Sequence, residues 1–91
     1  MLKLNWTDEA AEDLERIVNY ISDFDRDAAA RLRQRLGTCA ERLTEYPYLY
    51  TRGRVSGTRE ALAHPNYILV YRVGGDTVRI LSVIHARQQY P

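Results

Sequence analysis

Among its 91 residues the chain has one lysine, Lys3, and one cysteine, Cys39. A lone cysteine cannot form an internal disulfide, so the fold must rest on its core. No stretch approaches the ~18 apolar residues of a membrane-spanning helix. The opening Met1-Leu2-Lys3-Leu4-Asn5-Trp6 lacks the apolar core, about 7–15 residues long, of a secretory signal. These absences predict a cytosolic protein with no membrane partner, built as a single domain over residues 1–91. A glycine-rich phosphate loop and a Ser/His/Asp constellation are also missing. The two histidines, His64 and His85, have no cysteine nearby and offer no metal site, so neither a metal nor a cofactor is expected.

What is present is arginine. Thirteen basic residues face twelve acids, for a net charge of +1, and all the basic residues except Lys3 are arginine. A balance near zero argues against strong, direct nucleic-acid binding, which needs many uncompensated cations. Arginine forks onto carboxylates and suits interfaces. The acids gather early, at Asp8, Glu9, Glu12, Asp13 and Glu15, and the segment from Arg26 to Arg87 is basic by contrast. This asymmetry predicts a face that attracts acidic partners.

Hydrophobic spacing gives the elements. Leu2, Leu4 and Trp6 alternate with polar residues as a short strand. Thr7 is an N-cap with acids in the turn after it, and Ala10, Leu14, Ile17, Val18 and Ile21 recur at helical spacing over residues 8–22. Asp25 caps a second helix carrying Ala29, Leu32, Leu36, Cys39, Ala40 and Leu43, which stops at Tyr46-Pro47. Gly37 within it suggests a close helix–helix approach. Cys39 on the apolar stripe reads as a buried, inert thiol. Residues 46–56 read as a loop with three tyrosines that seal the core and two arginines. Strands follow at 58–64, 67–73 and 77–86, separated by Pro65-Asn66 and Gly74-Gly75-Asp76. The middle one is apolar on both faces and should be central. The fold class is therefore α+β: an N-terminal strand, an antiparallel helix hairpin, then a three-stranded antiparallel meander, with the helices on one face of the sheet.

This order resembles the RelE/ParE superfamily of bacterial toxins. The residues that carry the likeness are Trp6-Thr7, Ala10, Asp13-Leu14, Ile17 and Tyr20-Ile21; Gly57-Thr58-Arg59-Glu60; Asn66-Tyr67-Ile68-Leu69-Val70-Tyr71-Arg72-Val73; and Val83-Ile84-His85-Ala86-Arg87. Gly-Thr-Arg-Glu with a closing His-x-Arg is closer to ParE. The resemblance implies a type II toxin, neutralised by a cognate ParD-like antitoxin, that binds and poisons DNA gyrase. The alternative within the superfamily is a ribosome-dependent mRNA endonuclease of the RelE type.

RNA cleavage through the 2′-hydroxyl needs a base, an acid and cations aimed at one phosphorus. RelE-like nucleases carry an arginine on the strand shortly before the central tyrosine, where this chain reads Ala61-Leu62-Ala63-His64. If the chain is a nuclease, the candidate catalytic residues are His64, His85, Arg87 and Tyr90; if it is a binder, there are none. The candidate target-binding residues are Arg59, Arg79, His85, Arg87 and Tyr90. Ideal hairpins place His64 opposite Tyr67, Arg59 opposite Arg72, Arg72 opposite Val78, and His85 level with Pro65. Arg59 and His85 then lie about seven residues apart along the strands, ~23 Å. Period-two alternation puts Arg79, Leu81, Val83, His85 and Arg87 on one face. The competing structural readings are a hydrogen-bonded His85, a turn residue at His64, cross-strand ion pairs at Arg59-Glu60, and a solvated face for Arg31, Arg35 and Arg42.

Overall fold

A computed structural model describes residues 1–90. Strand β1 (Lys3–Trp6) leads into helices α1 (Asp8–Ser22) and α2 (Arg26–Leu43), followed by strands β2 (Thr51–Arg52), β3 (Arg59–His64), β4 (Tyr67–Gly74) and β5 (Thr77–His85). Both helices start where their caps predict. The Thr7 hydroxyl accepts the N–H of Ala10 at 3.2 Å, and the Asp25 carboxylate accepts that of Ala28 at 3.0 Å. Each satisfies one of the orphan donors of a first turn. Helix α2 ends earlier than Pro47 requires. Thr44 is its C-cap, and the Thr44 hydroxyl donates to the Glu41 carbonyl.

The strands form one five-stranded sheet in the order β1-β5-β4-β3-β2. The loop reading of residues 46–56 missed β2, which extends the antiparallel meander by one strand. Strand β1 pairs with β5 in parallel, because the helix hairpin carries the chain over the sheet before β5 is reached. Strand β4 is central, and residues 68 to 71 are buried without a break.

Helix α1 lies over β5 and α2 over β3. Leu32, Leu36, Cys39, Ala40 and Leu43 from α2 and Ala10 from α1 meet Ala61, Leu69, Tyr71, Val78, Ile80 and Val83 from the sheet. Leu36, Leu43, Leu69 and Ile80 are fully buried. Each such side chain contributes about 1.5–3 kcal/mol of transfer free energy. Tyr71, also fully buried, donates its hydroxyl to the Pro47 carbonyl at 2.6 Å, and burial pushes its pKa up to about 12. Burial likewise raises the pKa of Cys39, which agrees with an inert thiol. Gly37 does not mark a close helix approach: a β-carbon there would meet nothing within 4 Å.

On the opposite face of the sheet, Ile68, Val70 and Ile84 form a small second cluster, with Ala86 and Tyr90 packed on it. None of the described helices is long and apolar enough to cross a membrane.

Two bulges reset the register. One lies between Leu62 and His64, so Arg59 pairs with Tyr71 rather than Arg72. The other is on β5: Val70 pairs with Ser82 but Tyr71 with Ile80, which leaves Leu81 as an extra residue. The last hairpin turns on two residues, with Gly74 opposite Thr77 and Gly75 at φ +58. Arg72 therefore faces Arg79, not Val78, and His85 faces Tyr67 rather than lying level with Pro65.

Candidate functional site

The bulge at Leu81 decides which side chains share a face. Before it, Val78 and Ile80 point toward the helices, so Arg79 points away. After it, Val83 points toward the helices and Ile84 away. A strand with strict alternation would have kept Arg79, Val83 and His85 together. Here Arg79 lies on the open face, whereas His85 turns toward the helix side with Tyr67. The expectation of one face for Arg79, Leu81, Val83, His85 and Arg87 fails for this reason.

The histidines meet at one end of the helix-covered face. His64, Tyr67 and His85 are direct neighbours across three strands. Their rings stand in a row, with Tyr67 at 5.7 Å from His64 and at 5.5 Å, edge-on, from His85. The two imidazoles are held alike. His64 Nδ1 accepts the N–H of Asn66 at 3.0 Å, and His85 Nδ1 accepts that of Arg87 at 3.1 Å. Each ring closes a turn two residues on and leaves Nε2 as its free nitrogen. Burial, and then the nearby Arg35 charge, hold the His64 pKa below 6.5. His64 also lines a cleft of about 350 Å³ with Ala28, Arg31, Leu32 and Arg35. The turn role expected of His64 and the hydrogen-bonded role expected of His85 are both present.

The other candidates lie elsewhere. Arg59 is four positions from His85 along β4 and two strands across, so about 13 Å separates them along the strands alone. This is less than the ideal register gave, but still too far for one phosphate. Arg59 Nη1 donates to the Tyr50 carbonyl at 2.8 Å, and the guanidinium sits 4.8 Å over the Tyr48 ring. Arg59 thus pins the β2 loop rather than making an ion pair with its neighbour; Glu60 is bound by Arg54 instead, at 3.3 Å. Of the three loop tyrosines only Tyr50 packs on the core, while Tyr46 and Tyr48 are exposed.

Tyr90 lies against the second cluster, on the face away from the histidine row. Arg54 holds the tail there. It donates to the carbonyls of Gln88 and Tyr90 and stands 5.7 Å over the Tyr90 ring. The side chain of Arg87 is exposed between the two arrangements. The four nuclease candidates therefore do not gather: His64 and His85 bracket Tyr67, and Tyr90 is tied to the opposite face. Sequence reasoning missed Tyr67, Arg54 and Arg72. Nothing local marks them, because their roles depend on the pairing that the bulges set.

A second concavity of about 410 Å³ runs between α2 and the outer edge of β3. Arg31, Arg35, Arg42, Tyr50, Leu62 and Ala63 line it, and Cys39 is at its floor. Arg35 Nε donates to the Ala63 carbonyl at 3.1 Å, so this arginine is more than a solvated charge.

A helix hairpin on one face of a five-stranded sheet, with the first strand inserted in parallel beside the last, is the fold of the RelE/ParE toxins. A chromosomal ParDE toxin–antitoxin system from P. aeruginosa superimposes with a TM-score of 0.75 at 23% identity, over 93% of this chain and 96% of that one. The toxin–antitoxin complex RelBE2 from Mycobacterium tuberculosis gives 0.69 at 24% identity, over 92% and 96%. The chain belongs to the family described as "ParE toxin of type II toxin-antitoxin system, parDE", whose model matches residues 4–90. It is 46% identical over 90 residues to "Putative toxin Y4kP" of Sinorhizobium fredii, covering 98% of this chain and 93% of that protein. It is 39% identical over 88 residues to "Toxin RelE2" of Caulobacter vibrioides, covering 94% and 97%.

Proposed function

We propose that this toxin arrests growth by binding and poisoning DNA gyrase, without chemistry of its own, and that a ParD-like antitoxin neutralises it. One observation carries the reading: the candidate residues named from the sequence do not gather around one point. The histidine row is at one end of the helix side, Arg59 is committed to its loop, Arg79 is on the open face, and Tyr90 is tethered behind the sheet. Base, acid and cation must surround one phosphorus to cleave RNA. A binding surface has no such requirement.

The groove along α2 and β3 supports the antitoxin. It joins three arginines to apolar surface, including Leu62 at 61% exposure. An extended acidic segment with alternating apolar side chains suits it.

A second reading, ribosome-dependent mRNA cleavage, is favoured by the free Nε2 atoms of His64 and His85 and by the neighbouring Arg87. The test is direct. Purified toxin should inhibit gyrase supercoiling, or accumulate cleaved DNA complexes, and leave ribosome-bound mRNA intact. Codon-specific cuts in a translating extract, with supercoiling untouched, would reverse the order of the two readings.

A further inference from the structure

We propose that Arg72 and Arg79 form a carboxylate-binding point on the open face of the sheet, made for an acidic stretch of a partner protein. The two arginines are direct cross-strand partners, both exposed and on the same face. Like charges set opposite each other across a ladder destabilise it. No acid among the described residues pairs with them. From residue 51 onward there are six arginines and two acids, Glu60 and Asp76. Glu60 is engaged by Arg54 and Asp76 by Lys3. Among the described residues no carboxylate bridges Arg72 or Arg79, so both are open to an anion that a partner brings.

The pair is also arranged to receive one. Arg72 Nε donates to the Gly57 carbonyl at 3.4 Å, a long contact that leans the guanidinium toward the β2–β3 loop and leaves its terminal nitrogens available. Gly57 has φ +82, a left-handed conformation that glycine adopts without strain, so the glycine sets the turn that presents this carbonyl. Asn5, the β1 neighbour of Arg79, extends the row with an amide.

Two forked donors on adjacent strands can each take a carboxylate of one acidic segment. Duplex nucleic acid is a poorer match, since its affinity comes from neutralising many phosphates and this row offers two charges. The argument is independent of which cellular target the toxin arrests.

The test uses the intact toxin and follows arginine Nε–H resonances during titration with hexaglutamate, inorganic phosphate and a short DNA duplex. Hexaglutamate should move the Arg72 and Arg79 signals and leave Arg33, on the helix side, unmoved. Arg79→Gln and Arg72→Gln should each weaken hexaglutamate binding about tenfold. Both variants should melt at or above the parent temperature, because a like-charge contact is removed. Signals unmoved by hexaglutamate, unchanged affinity in Arg79→Gln, or tighter binding of phosphate or duplex would each overturn the assignment. So would a lower melting temperature in both variants, which would mean that the arginines serve the fold.

Discussion

Asp13 on α1 accepts the backbone N–H of Val83 on β5 at 3.0 Å, just past the extra residue of that strand. Thr7 donates its hydroxyl to the Ile80 carbonyl at 2.8 Å on the near side of the same bulge. The start of the first helix thus fixes the step that turns Arg79 away from the helices and His85 toward them. Asp13→Ala should cost about 1.5–3 kcal/mol, the range for a hydrogen bond to a charged group. Urea denaturation measures it, and Asp13→Asn should recover part of the loss. A stability equal to that of the parent would mean that the bulge holds without this contact.

His64 makes stability depend on pH. Its folded pKa lies below 6.5, through burial and the charge of Arg35, and its Nδ1 is engaged with the N–H of Asn66. Between the folded and unfolded pKa values the unfolded chain binds the extra proton, so stability rises with pH in that window. Melting temperature should therefore fall as pH drops below about 6.5. His64→Gln should flatten this dependence; a slope that survives the substitution would assign it to another group.

His85 and Arg87 separate binding from chemistry. His85→Ala removes one hydrogen bond to the following turn and one ring contact, a cost of about 1–3 kcal/mol in stability. Arg87→Ala removes an exposed fork that no shorter side chain replaces. With folding verified by circular dichroism, His85→Ala should keep substantial toxicity in a growth assay and Arg87→Ala should lose more. The opposite order, with abolition in a folded His85→Ala, is what acid–base chemistry would produce, since loss of such a group typically costs 10²–10⁴-fold.

Antitoxin binding should register as stability. A partner that binds only the folded toxin adds about 2.7 kcal/mol at a hundred times its Kd. For a domain of this size that raises the melting temperature by roughly 10–20 °C. An unchanged midpoint at saturating antitoxin would contradict the proposed pairing.

The helices were legible because their signals are local. Thr7 and Asp25 declare their caps, and the apolar stripe from Ala29 to Leu43 declares a buried face. The central place of β4 followed from its unbroken apolar run. Strand β2 escaped notice because two residues carry no periodicity, and its pairing depends on Arg59 anchoring the loop. The site was less legible for the same kind of reason. One unpaired residue, Leu81, inverts the facing of everything after it, and Leu81 looks like any other strand residue. The Arg72–Arg79 opposition likewise required a two-residue turn where Gly74-Gly75-Asp76 read equally well as three.

The contact from Arg35 to the Ala63 carbonyl has a colloidal consequence. Among the described residues, no strand lies beside the outer edge of β3 beyond Glu60, and a bare strand edge is a template for joining sheets between molecules. The guanidinium occupies an acceptor that such a union would use and places a full charge beside the remaining groups. At the far side of the sheet Asp13 and Thr7 do the same for β5 past the end of β1. Edge-to-edge joining of copies of this chain is disfavoured by these contacts.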